Sequence, residues 1–176
     1  MIKKLFRIAS RYGTVGGILA FVLLILMYYI GRHPLVVSPF LDFRILLFGI
    51  FIFFTLKEFR DYEQGGVLYF SQAMVGGFVV ITIMTTLTSL LLFLFGSLEP
   101  EFVKDYVAKV IEYLKSFAKE DIERIGKEIY ERNLIDLPAT NISNLAITYF
   151  VHGLVIGFFV NIILSVILRR QPKTQT

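Results

Sequence analysis

Ten consecutive residues, Lys57-Glu58-Phe59-Arg60-Asp61-Tyr62-Glu63-Gln64-Gly65-Gly66, place five charged side chains between two long apolar runs. Their types permit three kinds of chemistry at a membrane surface. Lys57 and Arg60 are cations able to meet lipid phosphates. Glu58 or Asp61 offers a carboxylate base against a lipid headgroup. Glu58, Arg60, Asp61 and the nearby Phe70 form a contact surface for a protein partner. The structural alternative is a solvated interfacial turn, with Gly65 and Gly66 permitting a tight reversal.

A second set of polar residues lies inside apolar runs. His152 and Asn161 are nine residues apart, roughly 14 Å along a helix and about half a turn around it, so they face different ways. An ionisable residue within a membrane is a candidate for proton coupling, whereas an interhelical hydrogen bond is the structural alternative for both. Thr82, Thr85, Thr86, Thr88 and Ser89 form a run of hydroxyls that could line a polar route. Hydroxyls in membrane helices also bond their own i−4 carbonyl or a neighbouring helix. Small residues recur four apart at Gly13 and Gly17, Ala73 and Gly77, Gly153 and Gly157. That spacing brings helix backbones close, either within the chain or in self-association.

Other chemistries are absent from the sequence. There are no cysteines, which removes thiolate metal sites and Cys nucleophiles. The paired glycines do not make a dinucleotide fingerprint, and no nucleophile–base pair is visible. The reading is of a non-enzyme with no cofactor and no metal site. The net charge of +4 does not indicate nucleic acid, because the basic residues flank apolar runs as they do in membrane proteins.

Those runs must position everything else. The chain is 56% hydrophobic and 18% charged, against about 25% charged for a soluble domain, and the excess lies in long uncharged stretches. The expected fold is all-α, an integral membrane four-helix bundle forming a single membrane domain over residues 1–176. Its spans fall at about 12–31, 39–56, 68–96 and 144–168. The second is short: Ser38-Pro39 reads as an N-cap and N1 proline, with Asp42 in the first turn and Arg44 and Lys57 snorkelling from opposite ends. Between the third and fourth spans, residues 100–133 carry apolar residues at helical spacing with a charged opposite face. This segment is expected to form one long amphipathic helix or two shorter ones outside the bilayer core, with Gly126 a candidate break.

Orientation follows from the short loops. The N-terminal tail, the 57–66 turn and the C-terminal tail hold nine Lys and Arg; the first loop on the other side holds Arg32 and Arg44. Both termini are therefore expected in the cytoplasm, with the lipid bilayer as the first partner.

The pattern Leu56-Lys57-Glu58-Phe59-Arg60-Asp61, then Gly65-Gly66, then Tyr69-Phe70-Ser71-Gln72-Ala73 leading to Gly76-Gly77 resembles the DUF4199 family. The resemblance extends to the Tyr12-Gly13 start of the first span and the Leu164-Ser165 to Arg169-Arg170 ending. It implies a small four-span protein of the bacterial inner membrane, from a family found mainly in Bacteroidota, and it supplies no catalytic residues. The functional expectation is an accessory or assembly subunit with a membrane-protein partner. The alternative is a small transporter working as a dimer, with His152, Asn161 and the hydroxyls along its route.

Overall fold

A computed structural model describes residues 2–36 and 42–171. Seven α-helices lie among them: α1 (Ile2–Tyr29), α2 (Phe43–Glu58), α3 (Phe70–Leu98), α4 (Pro100–Lys115), α5 (Lys119–Ile125), α6 (Lys127–Asp136) and α7 (Ile142–Leu168). The only strand-like contact among the described residues is one isolated antiparallel bridge between Leu68 and Arg170.

Three helices, α1, α3 and α7, are long and apolar enough to cross a membrane. In α1 the helix begins ten residues before the expected span and takes in Lys3, Lys4, Arg7 and Arg11. It ends where Gly31 adopts φ +86. Arg32 N–H then reaches back to Met27 O and Gly31 N–H to Tyr28 O, the paired bonds of a Schellman stop that a left-handed glycine permits.

Helix α2 falls in the region of the expected second span. It has 16 residues, roughly 24 Å at 1.5 Å per residue, shorter than the hydrocarbon core of about 30 Å. Asp42 is not in the first turn; it is the N-cap, accepting from Arg44 N–H at 2.9 Å. The expected Ser38-Pro39 start lies outside the described residues.

Helix α3 is the centre of the packing, with α1 and α7 on its flanks and α2 against all three. The paired small residues explain how the backbones come so close. A Cβ at Gly13 would sit 2.9 Å from Ile83 Cβ, and one at Gly157 would sit 2.6 Å from Ile81 Cγ2. Both distances are inside van der Waals contact, so only glycine fits these crossings. The small-residue pairs of α1 and α7 thus serve contacts with α3 in the same chain. Ala9, Ile52, Leu56, Val80 and Ile81 form the dry centre of the larger core.

A second core sits at the end of the molecule away from the termini. Phe102 of α4 is wholly buried there against Leu24, Leu92, Leu145 and Tyr149. The 100–133 region is three helices rather than one or two. The chain breaks at 116–118 and again at Gly126, whose φ of +94 separates α5 from α6. The first break falls where α4 ends at Ser116, whose hydroxyl bonds Tyr113 O at 2.6 Å, so the side chain competes with helix continuation.

Candidate functional site

The charged turn is built as a braced loop. Helix α2 runs on into a single π-helical turn, Phe59–Glu63, whose wider ring admits an extra residue. Phe59 is buried and anchors the turn in the core. Gly65 and Gly66 have φ of +56 and +88, values that side-chain-bearing residues avoid. Gly66 N–H closes the loop on Arg60 O at 2.8 Å. Beyond it, Leu68 and Arg170 exchange backbone hydrogen bonds of 2.8 Å in both directions. The start of α3 is thereby tied to the end of α7.

Two of the turn's three acids, Glu58 and Glu63, are held by the first half of α1. Glu58 accepts from Arg11 Nη2 at 2.5 Å and from Tyr12 Oη at 2.8 Å. Glu63 accepts from Lys4 Nζ at 2.5 Å and faces Arg7 at 3.8 Å. Glu58 is therefore committed to two donors rather than standing free as a base. Arg60 Nε donates to Asp61 at 2.7 Å, and this contact holds the Asp61 carboxyl below its usual range. Lys57 lies 5.9 Å from the Phe53 ring. Tyr62, at 85% exposure, stands out from the turn, and Phe70 is also exposed.

Sequence reasoning singled out the turn but missed its braces. The signal was present in Lys4, Arg7 and Arg11, which recur at three- and four-residue steps and so share one helix face. Spin labels at Lys3 and Tyr62 are expected to report a narrow distance distribution that broadens in Glu58→Gln/Glu63→Gln. High salt should broaden it in the parent chain, because these pairs are half open to solvent and screened. With no native cysteine, the labelling is unambiguous.

At the opposite end, Arg44 does not snorkel outward. Its side chain is 11% exposed and forms a double contact with Asp42, which is 12% exposed. Arg44 Nε donates to both Asp42 oxygens at 2.8 Å, and Nη1 donates to Tyr149 O at 3.1 Å. The guanidinium carbon lies 4.3 Å over the Tyr149 ring. Turning inward gives the guanidinium an α7 carbonyl and the Asp42 carboxylate together as acceptors, which a lipid-facing arginine would forgo.

His33, unremarked in the sequence, is buried beneath α4. Its Nδ1 accepts from Leu35 N–H at 3.3 Å and its Nε2 lies 3.1 Å from Phe102 O. These partners require a neutral ring with the proton on Nε2. Burial, with Lys109 also opposing the charge and Asp105 and the Phe102 carbonyl favouring it, pushes the His33 pKa down to about 4. The unfolded chain takes up its proton near pH 6.5 while the folded chain does not. This contribution to stability is therefore whole above pH 6.5 and is lost as the pH falls toward 4. Protection from hydrogen exchange in α4, referred to the intrinsic rate at each pH, should fall over that window, and His33→Gln should flatten the dependence.

The intramembrane polar residues separate. Asn161 is wholly buried; its Nδ2 donates to Met74 O at 2.9 Å, and its Oδ1 accepts from Ser165 at 3.2 Å. It is an interhelical bond between α7 and α3. His152 has no such bond among the described residues. It is exposed and lines a cleft of about 330 Å³ with Asp42, Arg44 and Tyr106. Its place on the outer face of α7, half a turn from Asn161, puts it beyond reach of α3. Thr82, Thr85 and Thr88 each bond a carbonyl one turn back, and Thr88 also bonds Gly17 O at 3.0 Å. These hydroxyls serve the packing of α3.

Three long apolar helices packed through glycine contacts define an all-helical, multi-pass membrane protein. The family model described as a protein of unknown function, DUF4199, matches residues 11–170, and the chain belongs to that family. No curated protein and no solved structure matches the chain.

Proposed function

We propose that this is a four-span protein of the bacterial inner membrane with both termini in the cytoplasm, acting without catalysis as an accessory or assembly subunit. In this reading α2 is the fourth span. The four helices then form one bundle over residues 1–176. The α4–α6 segment lies outside the bilayer core on the far side, with its apolar face toward α1 and the membrane. The excess of Lys and Arg at the end that carries both termini supports the orientation.

The observation that carries the reading is the braced turn. Two ion-paired acids, a buried Phe59 and the Leu68–Arg170 pairing hold it, while Tyr62 stands exposed beside Lys57, Arg60 and Asp61. A pre-formed loop with an exposed aromatic loses little entropy on docking, and tyrosines are common anchors of protein contacts. Glu58, Gly65 and Gly66 set its shape, and Phe70 is exposed at the start of α3 just beyond it.

A photo-crosslinking residue at Tyr62, activated in native membranes, is expected to give one discrete heteromeric adduct, reduced by Arg60→Ala. Labelling confined to lipid, or a diffuse smear unaffected by that substitution, would count against the reading. Single cysteines at Lys3 and at Lys115 should be reached by an impermeant thiol reagent from opposite sides.

A further inference from the structure

We propose that the cleft between α2, α4 and α7 binds one zwitterionic glycerophospholipid, with its phosphoethanolamine headgroup against the Asp42–Arg44 pair. The cleft offers both kinds of surface that an amphiphile requires. Asp42, Arg44, Tyr106 and His152 supply polar groups, and Leu35, Leu145 and, one turn beyond His152 on α7, Val155 and Ile156 supply apolar wall. Headgroup and upper acyl chain would then lie in register with the bilayer leaflet that the cleft faces. Which leaflet this is follows from the orientation proposed above; the chemistry of the cleft does not depend on it.

The hydrogen-bond inventory points to the headgroup. An arginine has five N–H donors. Asp42 and the Tyr149 carbonyl engage the Nε proton and one on each terminal nitrogen, leaving one N–H on each of Nη1 and Nη2. His152 and the Tyr106 hydroxyl are without partners among the described residues. These spare donors suit a phosphodiester, for which planar guanidinium is well matched. Asp42 adds the opposite requirement. Its carboxylate lines the same cleft, so a ligand of net negative charge would meet repulsion, whereas an ammonium attached to the phosphate would be attracted. A neutral ion pair thus selects a neutral zwitterion carrying both signs.

Native mass spectrometry of the full-length chain released from micelles is the test, with phosphatidylethanolamine and phosphatidylglycerol of identical acyl chains offered in equal amounts. A single retained phosphatidylethanolamine, preferred several-fold, is expected. His152→Ala leaves the helix packing untouched and should lower that occupancy several-fold. Asp42→Asn/Arg44→Gln, which removes both charges together, should erase the preference between the two lipids. Chain-free glycerophosphoethanolamine should bind far more weakly. Equal retention of the two lipids by the parent chain, occupancy unchanged in His152→Ala, or equal binding of the chain-free headgroup would each overturn the proposal.

Discussion

Gly77→Ala is expected to destabilise the protein by about 2–3 kcal/mol, the upper part of the range for an overpacked core. The sign is the informative part. In an exposed helix the same change stabilises by about 1 kcal/mol, because alanine is the better helix former. Here the added methyl has nowhere to go. It would land on the side chain of Asn161, which is itself wholly buried and fixed by Met74 O and Ser165. To yield, Asn161 would have to give up an interhelical hydrogen bond and leave its amide unsatisfied in an apolar interior. Titration with sodium dodecyl sulfate, followed by circular dichroism, measures the loss. A double-mutant cycle isolates its cause: Asn161→Ala removes the obstruction, so Gly77→Ala/Asn161→Ala should be more stable than the sum of the single changes. Strict additivity of the two would mean that the crossing of α3 and α7 is looser than the contact implies.

Arg44→Ala should have the largest effect of any single charge removal, about 3–5 kcal/mol, as for a buried ion pair broken on one side. The substitution strands the Asp42 carboxylate, itself 12% exposed, and removes the donor to Tyr149 O. It therefore loosens α2 from α7, while the cap bond from the Arg44 backbone N–H to Asp42 remains. Asp42→Asn/Arg44→Gln should recover much of the loss, since no unpaired charge remains. Arg132→Ala is the contrast: its pair with Asp136, at 3.6 Å, has both side chains more than half exposed. Pairs of that kind contribute little, and the same titration should not distinguish the variant from the parent. Comparable losses at Arg44 and Arg132 would show that the Asp42–Arg44 pair is solvated.

Long uncharged runs identify α1, α3 and α7 without reference to one another, because insertion depends on the summed hydrophobicity of a contiguous segment. Gly31, Gly126 and the paired Gly65-Gly66 are legible for a similar reason, since backbone geometry at a break depends on one or two residues. The charged turn stood out from composition alone. Its braces did not, because Arg11 and Glu58 are far apart in sequence and nothing local says that they meet.

The intramembrane polar residues show the same division. Spacing alone put His152 and Asn161 on opposite faces of α7, since helical period is a property of one element. Which face was core could be decided only by where α3 lies. That single fact makes Asn161 a structural clamp and leaves His152 in the wall of a cleft. Asp42 and Arg44 read locally as a first-turn acid and a snorkelling cation, and the first is displaced because Asp42 is itself the N-cap. The second failed because an arginine chooses between lipid headgroups and an available carbonyl according to distance, and the Tyr149 carbonyl comes within reach only when α7 packs beside α2. Residue order is enough to show that the chain is helical and membrane-borne and where it turns. Tertiary structure alone decided which charges are braces, which glycines are crossings and which polar groups remain free to bind, because each of these depends on a partner on another helix.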